Sequence, residues 1–260
     1  MKRFLSLLLV FLLLLPSALA DPLPLLEDLA DTVTVVYHDQ DPASASYVYS
    51  YRYPHADPTD PTAYRVNSYY EYLVKDTLDY TVPTLSEYYA GQDQSASVQI
   101  TYEVTCNNDE FFSVLLRQTE TENGLSWDTW TGNTFSRLDG MPDTTFDLPR
   151  LLGTLRSGES DEWLENRQTE KAREAVWTLV WEIIEKNASG LYNPAYTRED
   201  LLFDLTPETD FYLDETGNPV FFVACPPPGT QLDEIPSLSA DPSCTLLLFP
   251  LSLEDIEDEI

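Results

Sequence analysis

The feature that most constrains the fold is the period of the hydrophobic residues, which changes several times along the chain. Residues 47–53, YVYSYRY, alternate strictly, so four tyrosines share one face of a predicted strand. From Ala63 the spacing becomes helical, and a longer helical pattern follows between residues 160 and 187. Because strands are predicted on both sides of this helical block, the predicted fold class is α+β, an antiparallel sheet with helices packed on one face.

Turn residues divide these patterns into elements. The first helix buries a face of Val66, Tyr69, Tyr70, Leu73, Thr77 and Tyr80, and Pro83 is expected to interrupt it. Asn107-Asn108-Asp109 joins two strands into a hairpin, and Gly132-Asn133 predicts a bend in a third strand. The predicted strands are 32–37, 47–53, 98–106, 111–118, 126–136, 211–213, 220–224 and 245–251. The later predicted helices are 147–155, a long one capped by Ser160, and 198–205; Asn187-Ala-Ser189-Gly190 stops the long helix, with Gly190 as its left-handed cap.

The N-terminus has the pattern of a secretory signal peptide. Lys2-Arg3 precedes an apolar run from Phe4 to Leu15, which is short for a span of about 20 apolar residues. Small residues follow, so cleavage is predicted after Ala20, leaving Asp21 first; an uncleaved anchor is the alternative. The predicted division is signal peptide 1–20, acidic lead-in 21–32, α+β domain 33–253 and acidic tail 254–260. The domain could comprise two intimate halves, 33–140 and 141–253. We expect a secreted protein with no membrane segment once the signal is removed.

Net charge restricts the partners. The sequence has 14 Lys and Arg against 45 Asp and Glu, a formal charge of −31. The signal peptide holds two basic residues and no acid, so the mature chain would carry 12 basic residues and a net charge of −33. Such a surface repels nucleic acid and anionic lipid and attracts cationic partners. Solubility, or adaptation to a salty or acidic habitat, explains the same charge equally well.

Three cysteines leave at least one thiol unpaired in a secreted chain. Cys225 and Cys244 flank a loop rich in Pro and Ser, so we predict a disulfide between them. Cys106 closes an alternating strand pattern and should point into the core. The alternative is that all three thiols are free.

Few residues suggest chemistry. The two histidines, His38 and His55, lie in polar loops without metal-ligand spacing, and a cation site in residues 38–41 is improbable. The tyrosine face at 47–53 suits packing against a helix better than a stacking surface for sugars or peptides. Trp177 and Trp181, one helical turn apart, suit core packing better than a ligand platform. No nucleophile, phosphate-loop or dinucleotide motif is present, so we predict no catalytic residue, metal or cofactor.

Several short segments occur in an order typical of a known domain. They are Tyr51-Arg-Tyr53-Pro54 with the helix containing Asn67, Ile100-Thr-Tyr102-Glu-Val104, Phe112-Ser113-Val114, Asn133-Thr-Phe135, Phe146-Asp147-Leu148-Pro-Arg-Leu151-Leu152, the long helix, Asp210-Phe211-Tyr212-Leu213, Val220-Phe221-Phe222 and Leu247-Leu248-Phe249-Pro250. This order resembles the extracytoplasmic domain family of unknown function that forms the outer part of the anti-sigma factor RsiV and the N-terminal part of the peptidoglycan deacetylase PdaC. The resemblance covers roughly residues 33–253 and implies an α+β fold. In the anti-sigma relative this outer domain binds lysozyme.

Two departures limit what the resemblance implies. The family's Gly-Gly-Ala-His stretch is replaced by Asn123-Gly124-Leu-Ser-Trp127-Asp128, and its loop before the last strand by the Cys225–Cys244 segment. The sigma-binding part, the membrane helix and the deacetylase domain have no counterpart, so neither sigma control nor deacetylation is implied. We expect a secreted, non-enzymatic binding module of the cell envelope, with a cationic protein such as lysozyme or a wall component as partner. The alternatives are a hydrolase acting on peptidoglycan glycan or acyl groups, and a structural accessory protein. The sequence leaves the oligomeric state open.

Overall fold

The structure is a computed structural model that describes residues 22–26, 32–36, 45–92, 94–138, 145–152, 162–187, 189–225 and 236–260. The predicted cleavage residues Ala20 and Asp21, the segment 38–41 and the predicted cap Ser160 lie outside these ranges. The strands are β1 (Val33–Val35), β2 (Tyr47–Tyr51), β3 (Ala96–Asn107), β4 (Phe111–Glu122), β5 (Leu125–Ser136), β6 (Phe211–Leu213), β7 (Pro219–Ala224) and β8 (Leu246–Pro250). The helices are α1 (Ala63–Asp76), α2 (Val82–Ala90), α3 (Leu148–Leu151), α4 (Glu162–Lys186), α5 (Arg198–Asp204) and α6 (Leu253–Glu259).

The strands form two sheets, and the predicted α+β class is confirmed. Strands β1 to β5 lie in chain order in the larger sheet, and β6 to β8 form a smaller antiparallel one. The larger sheet is mixed, which corrects the expectation of a single antiparallel sheet, because β2 pairs in parallel with β3. Parallel neighbours need a long crossover connection, and here the helical segment from Ala63 to Ala90 provides it.

That helical segment continues through Pro83, so the predicted interruption is wrong. A π turn, Thr77–Thr81, links α1 directly to α2, and the Val82 N–H donates to the carbonyl of Thr77. Pro83 therefore lies in the first turn of α2, where a missing N–H is tolerated. The wider π turn takes more residues per revolution than an α-helix, so it changes which side chains face the sheet beyond Asp76.

The acidic tail is an ordered part of the fold. Its helix α6 begins at Ser252, whose side chain accepts a hydrogen bond from the Asp255 N–H, and it packs on α4. Ile256 is fully buried in a hydrophobic core that also contains Val176 and Val180 from α4 and Phe249 from β8. The tail thus covers this core with Ile256 and the partly buried Ile260 while its acids face solvent.

The chain has two hydrophobic cores that meet where the sheets approach each other. One core lies between the larger sheet and the helices α1 and α2, and the other lies among α4, α5, α6 and the smaller sheet. Gly132 on β5 lies directly against the backbone of Phe211 on β6. The Leu213 N–H donates to Ser113 Oγ on β4 at 3.0 Å. The division into halves at about residue 140 stays a prediction, but direct backbone contacts join the two sheets.

Candidate functional site

Most of the tyrosine face of β2 is core, as the packing interpretation predicted. Tyr47 and Tyr49 are buried, and the Tyr47 ring stacks on Tyr89 of α2 with ring centroids 6.0 Å apart. Tyr53, just beyond the strand, is buried against Tyr70 of α1, with centroids 5.0 Å apart. Only the end of this aromatic series, around Tyr51, reaches the surface.

At that end lies a small groove between the segment following β2 and helix α1. Its volume is about 160 Å³, and we name it the tyrosine groove. It is lined by Val33, Tyr51, Arg52, Tyr53, Pro54, His55, Asn67, Tyr70, Glu71 and Val74. The segment Tyr51-Arg-Tyr53-Pro54 and the Asn67 helix, two of the segments on which the family resemblance depends, therefore meet at one site.

Asn67 holds the two sides of the groove together. Its side-chain carbonyl accepts a hydrogen bond from the Ala56 N–H at 2.8 Å, and its amide nitrogen donates to the Ala56 carbonyl at 2.9 Å. An asparagine that satisfies both backbone polar groups of one residue replaces a backbone partner for the loop. Asn67 therefore positions the loop bearing Pro54 and His55 against α1 and leaves the other lining residues to contact a ligand.

Tyr70 carries an unsatisfied polar group at the groove. The residue is 3% exposed, and its hydroxyl has no hydrogen-bond partner among the residues that the structure describes. Burial raises the pKa of Tyr70 well above its ordinary value, with the nearby hydroxyls of Tyr69, Tyr53 and Tyr102 adding to the effect. A buried hydroxyl without a partner costs free energy, so such groups are uncommon and suggest a missing bonding partner.

The other tyrosines of the groove are held neutral. Burial raises the pKa of Tyr53, and its hydroxyl contact with Tyr49, 3.3 Å between the two oxygens, raises it further. Burial also raises the pKa of Tyr51. These phenols stay protonated at physiological pH, so they can exchange hydrogen bonds with a ligand but cannot act as bases or nucleophiles.

Charged and polar groups of both signs line the groove. Arg52 and Glu71 are exposed, and the Arg52 guanidinium lies over the Tyr102 ring, 5.4 Å from its centroid. His55 is half-buried beside them. The sequence placed His55 in a polar loop without assigning it a role; the structure brings it into the groove because Asn67 draws that loop onto α1.

A second aromatic feature lies on the solvent side of the same helical segment. Tyr72, Tyr80 and Tyr88 are 73%, 68% and 54% exposed and recur every eight residues, about 12 Å along an ideal α-helix. We name these three side chains the tyrosine row. The sequence pattern placed Tyr80 on the buried face, and this is wrong because the π turn shifts the residues after Asp76 around the axis. The acids Asp76 and Glu87 are exposed on the same segment.

A larger cleft, of about 630 Å³, lies between α4 and α6, but Arg173, Lys171 and Trp177, which line it, already have partners. Arg173 binds Glu208, Lys171 Nζ donates to the carbonyl oxygen of Ile260 at 2.7 Å, and Trp177 Nε1 donates to the Leu205 carbonyl at 3.0 Å. Trp177 and Trp181 also pack on the second core, as predicted. The side chains of this cleft hold helices together, so the tyrosine groove is the better candidate for a ligand.

The cysteines show no sign of nucleophilic activation. Cys106 is buried, as predicted, and burial raises the pKa of its thiol to about 11. Burial, followed by the neighbouring Cys244 thiol, raises the pKa of Cys225 to about 11. The structure holds all three as free thiols, with those of Cys225 and Cys244 in contact. The disulfide stays a prediction, which counting the thiols in the denatured, unreduced protein will test.

Other classes of site have little support. Within the described ranges, no three His, Cys, Asp or Glu side chains are grouped so that they could hold a metal ion. The loop 38–41, with His38, falls outside those ranges. No helix of the described part of the chain is long and apolar enough to cross a membrane.

Fold and groove together define a class: a two-sheet α+β protein in which a helical crossover holds an aromatic groove against the larger sheet. The structure is similar to the crystal structure of a DUF3298 family member from Bacteroides fragilis, with a TM-score of 0.50 and 14% identity over 88% of this chain and 92% of that one. A DUF3298 protein from Pseudomonas aeruginosa gives 0.36 and 12% over 68% and 77%. At such identity the first comparison shows a shared fold. No protein-family profile and no curated protein matches the sequence.

Proposed function

We propose that this chain is a secreted, non-enzymatic binding module of the bacterial cell envelope, of the RsiV and PdaC type, and that it binds a cationic protein such as lysozyme. The observation that carries the proposal is the charge, with 45 acidic residues against 14 basic ones. A potential of one sign over most of the surface accelerates and strengthens association with a partner of the opposite sign. The fold shared with a domain of unknown function is compatible with this role.

The tyrosine row supplies a contact surface for such a partner. Tyr72, Tyr80 and Tyr88 present aromatic faces beside Asp76 and Glu87, and this combination suits lysine and arginine side chains. Each exposed cation–π contact contributes about 0.5–1 kcal/mol, so three of them supply specificity beyond the long-range attraction. Tyrosine is also the residue type that protein interfaces favour.

The tyrosines of the groove suit binding and not proton transfer. The raised pKa values of Tyr51, Tyr53 and Tyr70 keep their hydroxyls protonated, so in a hydrolase proton transfer would fall to His55 and Glu71, which line the same groove. The cysteine thiols of Cys106 and Cys225 are likewise held in their neutral form. With the groove tyrosines and these thiols excluded from proton transfer, we favour a protein that holds its partner without transforming it.

Lysozyme binding to the immobilised protein tests the proposal. We expect retention at low ionic strength that is lost as salt is raised, because screening removes attraction between exposed charges. Replacing Tyr72, Tyr80 and Tyr88 together by Ser should weaken binding about tenfold or more, given three exposed cation–π contacts. The control replaces Leu125, Leu191 and Phe203 by Ser, three exposed apolar residues elsewhere, and should bind as the wild type does.

Two outcomes would contradict the proposal. Absence of retention even at low salt would remove lysozyme as the partner, and equal binding by both triple variants would exclude the tyrosine row. The secreted state has its own measurement, because N-terminal sequencing of the protein from culture fluid should begin at Asp21.

A further inference from the structure

We propose that the tyrosine groove binds one ring of a neutral saccharide. This ligand goes beyond the cationic partner proposed above and uses a different part of helix α1. The inference rests on the size of the groove, its aromatic walls, the unpaired hydroxyl of Tyr70 and the balance of charge around it.

The groove has the size of a single ring. Its volume is about 160 Å³, close to the ~150 Å³ cavity that is known to admit benzene and below the range of drug-sized pockets. The groove is open at the protein surface, between Tyr51 on the strand side and Glu71 on the helix side. One ring of a chain can therefore enter while its neighbours continue across the surface.

The walls offer the two kinds of contact that a sugar ring needs. Tyr51, the half-buried tyrosine of the groove, offers a ring whose electron-rich face attracts the C–H groups on the flat side of a pyranose, whereas the buried rings of Tyr53 and Tyr70 stack on each other. Arg52, His55 and Glu71 supply donors and acceptors that can reach the hydroxyls at the edge of the ring. Asn67 satisfies both polar groups of Ala56 and so keeps the two walls in place.

The hydroxyl of Tyr70 favours a ligand that itself bears hydroxyls. It is unpaired within the part of the chain that the structure describes and is shielded even from water, so a ligand that shifts the side chains covering it and bonds to it relieves an existing cost. The phenol stays protonated, and it can both donate a hydrogen bond and accept one. A sugar hydroxyl can also donate and accept, so it can bond to the Tyr70 hydroxyl in either direction.

The charge around the groove favours a neutral ligand. Although the whole chain is strongly acidic, Arg52 and Glu71 bring opposite charges to opposite sides of this site. An anionic or cationic ring would gain from one of them and lose to the other. A neutral ring can bond to both, because guanidinium groups donate and carboxylates accept.

Calorimetric titration of the full chain with cellotetraose, chitotetraose and maltotetraose tests the proposal. We expect at least one of them to bind with a Kd of about 1 mM or below, and binding should change little with salt because the ligand is uncharged. Tetralysine and tetragalacturonate serve as charged probes of similar length. Tyr70→Phe keeps the ring and removes only the unpaired hydroxyl, so the fold should keep or raise its melting temperature while affinity falls about three- to tenfold.

A second pair of variants locates the binding. Glu71→Gln at the groove should weaken saccharide binding, whereas Glu87→Gln, an exposed glutamate on the outer side of the same helical segment, should leave it unchanged. Failure of all three oligosaccharides to bind at about 10 mM would overturn the proposal. Binding that neither Tyr70→Phe nor Glu71→Gln alters would overturn it as well. Lysozyme retention and the tyrosine row variants are measured separately, so either proposal can fail without the other.

Discussion

At the scale of single residues, Gly132 shows most clearly how a local pattern can be misinterpreted. The dipeptide Gly132-Asn133 predicts a bend, but β5 runs without interruption from Leu125 to Ser136. A Cβ at position 132 would lie 1.6 Å from the Phe211 carbonyl oxygen, far inside contact distance. The glycine is needed because two backbones from different sheets approach each other there, and not for a turn.

Gly132→Ala should therefore destabilise the protein by about 3 kcal/mol or more, because the added methyl group can be accommodated only if the two sheets separate. Gly91→Ala is the matched control, since its Cβ would meet the Tyr88 carbonyl oxygen at 3.6 Å, an ordinary contact. Urea unfolding of both variants measures the difference in the free energy of unfolding. Similar stability for the two would show that β5 and β6 do not approach as closely as described.

At the scale of elements, helix α6 shows how an acidic segment can be structural. The run of acids in residues 254–260 is typical of a solvated tail. In the structure, however, Ser252 caps a helix whose first turn contains Glu254 and Asp255. Acids near a helix N-terminus are favoured by the positive end of the helix dipole. Ile256 then anchors this helix in the second core against α4.

Ile256→Ala should cost about 2–4 kcal/mol, the usual range for truncating a fully buried isoleucine. Asp258→Ala, two residues later on the exposed side, should change stability by less than about 0.5 kcal/mol. Thermal or urea unfolding of both variants makes the comparison. If the two substitutions cost the same, α6 is not packed on the second core.

At the scale of the whole molecule, we expect charge repulsion to be the dominant electrostatic effect. Ion pairs in the described part of the chain involve seven basic residues, Lys75, Arg117, Arg137, Arg150, Arg173, Lys186 and Arg198. Acids outnumber bases by 45 to 14, so most carboxylates have no cation with which to pair. Mutual repulsion on this scale destabilises a compact state, and it acts between many residues at once.

Raising NaCl from about 10 mM to 500 mM should therefore raise the melting temperature by a few degrees, because the screening length falls below the typical separation of surface charges. Replacing the exposed Glu87, Glu185 and Glu257 by Gln should reduce this salt dependence. Calorimetry at several salt concentrations measures both effects. A melting temperature that falls with salt would show that ion pairs, and not repulsion, govern stability.

The sequence analysis named many residues of the candidate site but did not predict that they form one site. It singled out Tyr51-Arg-Tyr53-Pro54, the loop residue His55 and the helix that contains Asn67. It assigned Tyr70 to the core and gave Glu71 no role. Whether a hydroxyl such as that of Tyr70 finds a partner depends on atoms distant in sequence. The long helix ends at Lys186, directly before the predicted stop at Asn187-Ala-Ser189-Gly190, but the left-handed residue next to it is Asn187, with φ +30°, and Gly190, with φ +68°, comes later.

The sequence by itself determined the α+β class, the hairpin at Asn107-Asn108-Asp109, the long helix and the burial of Cys106, because these depend on periodicity and turn residues within a few positions of each other. Only the tertiary structure decided that β2 runs parallel to β3, that the strands divide into two sheets and that Asn67 closes the tyrosine groove. The parallel pairing depends on the helical segment from Ala63 to Ala90, which provides the crossover from β2 to β3 and includes a π turn before Pro83. The groove exists because that segment then lies against residues from another part of the chain, and no local pattern encodes such a contact.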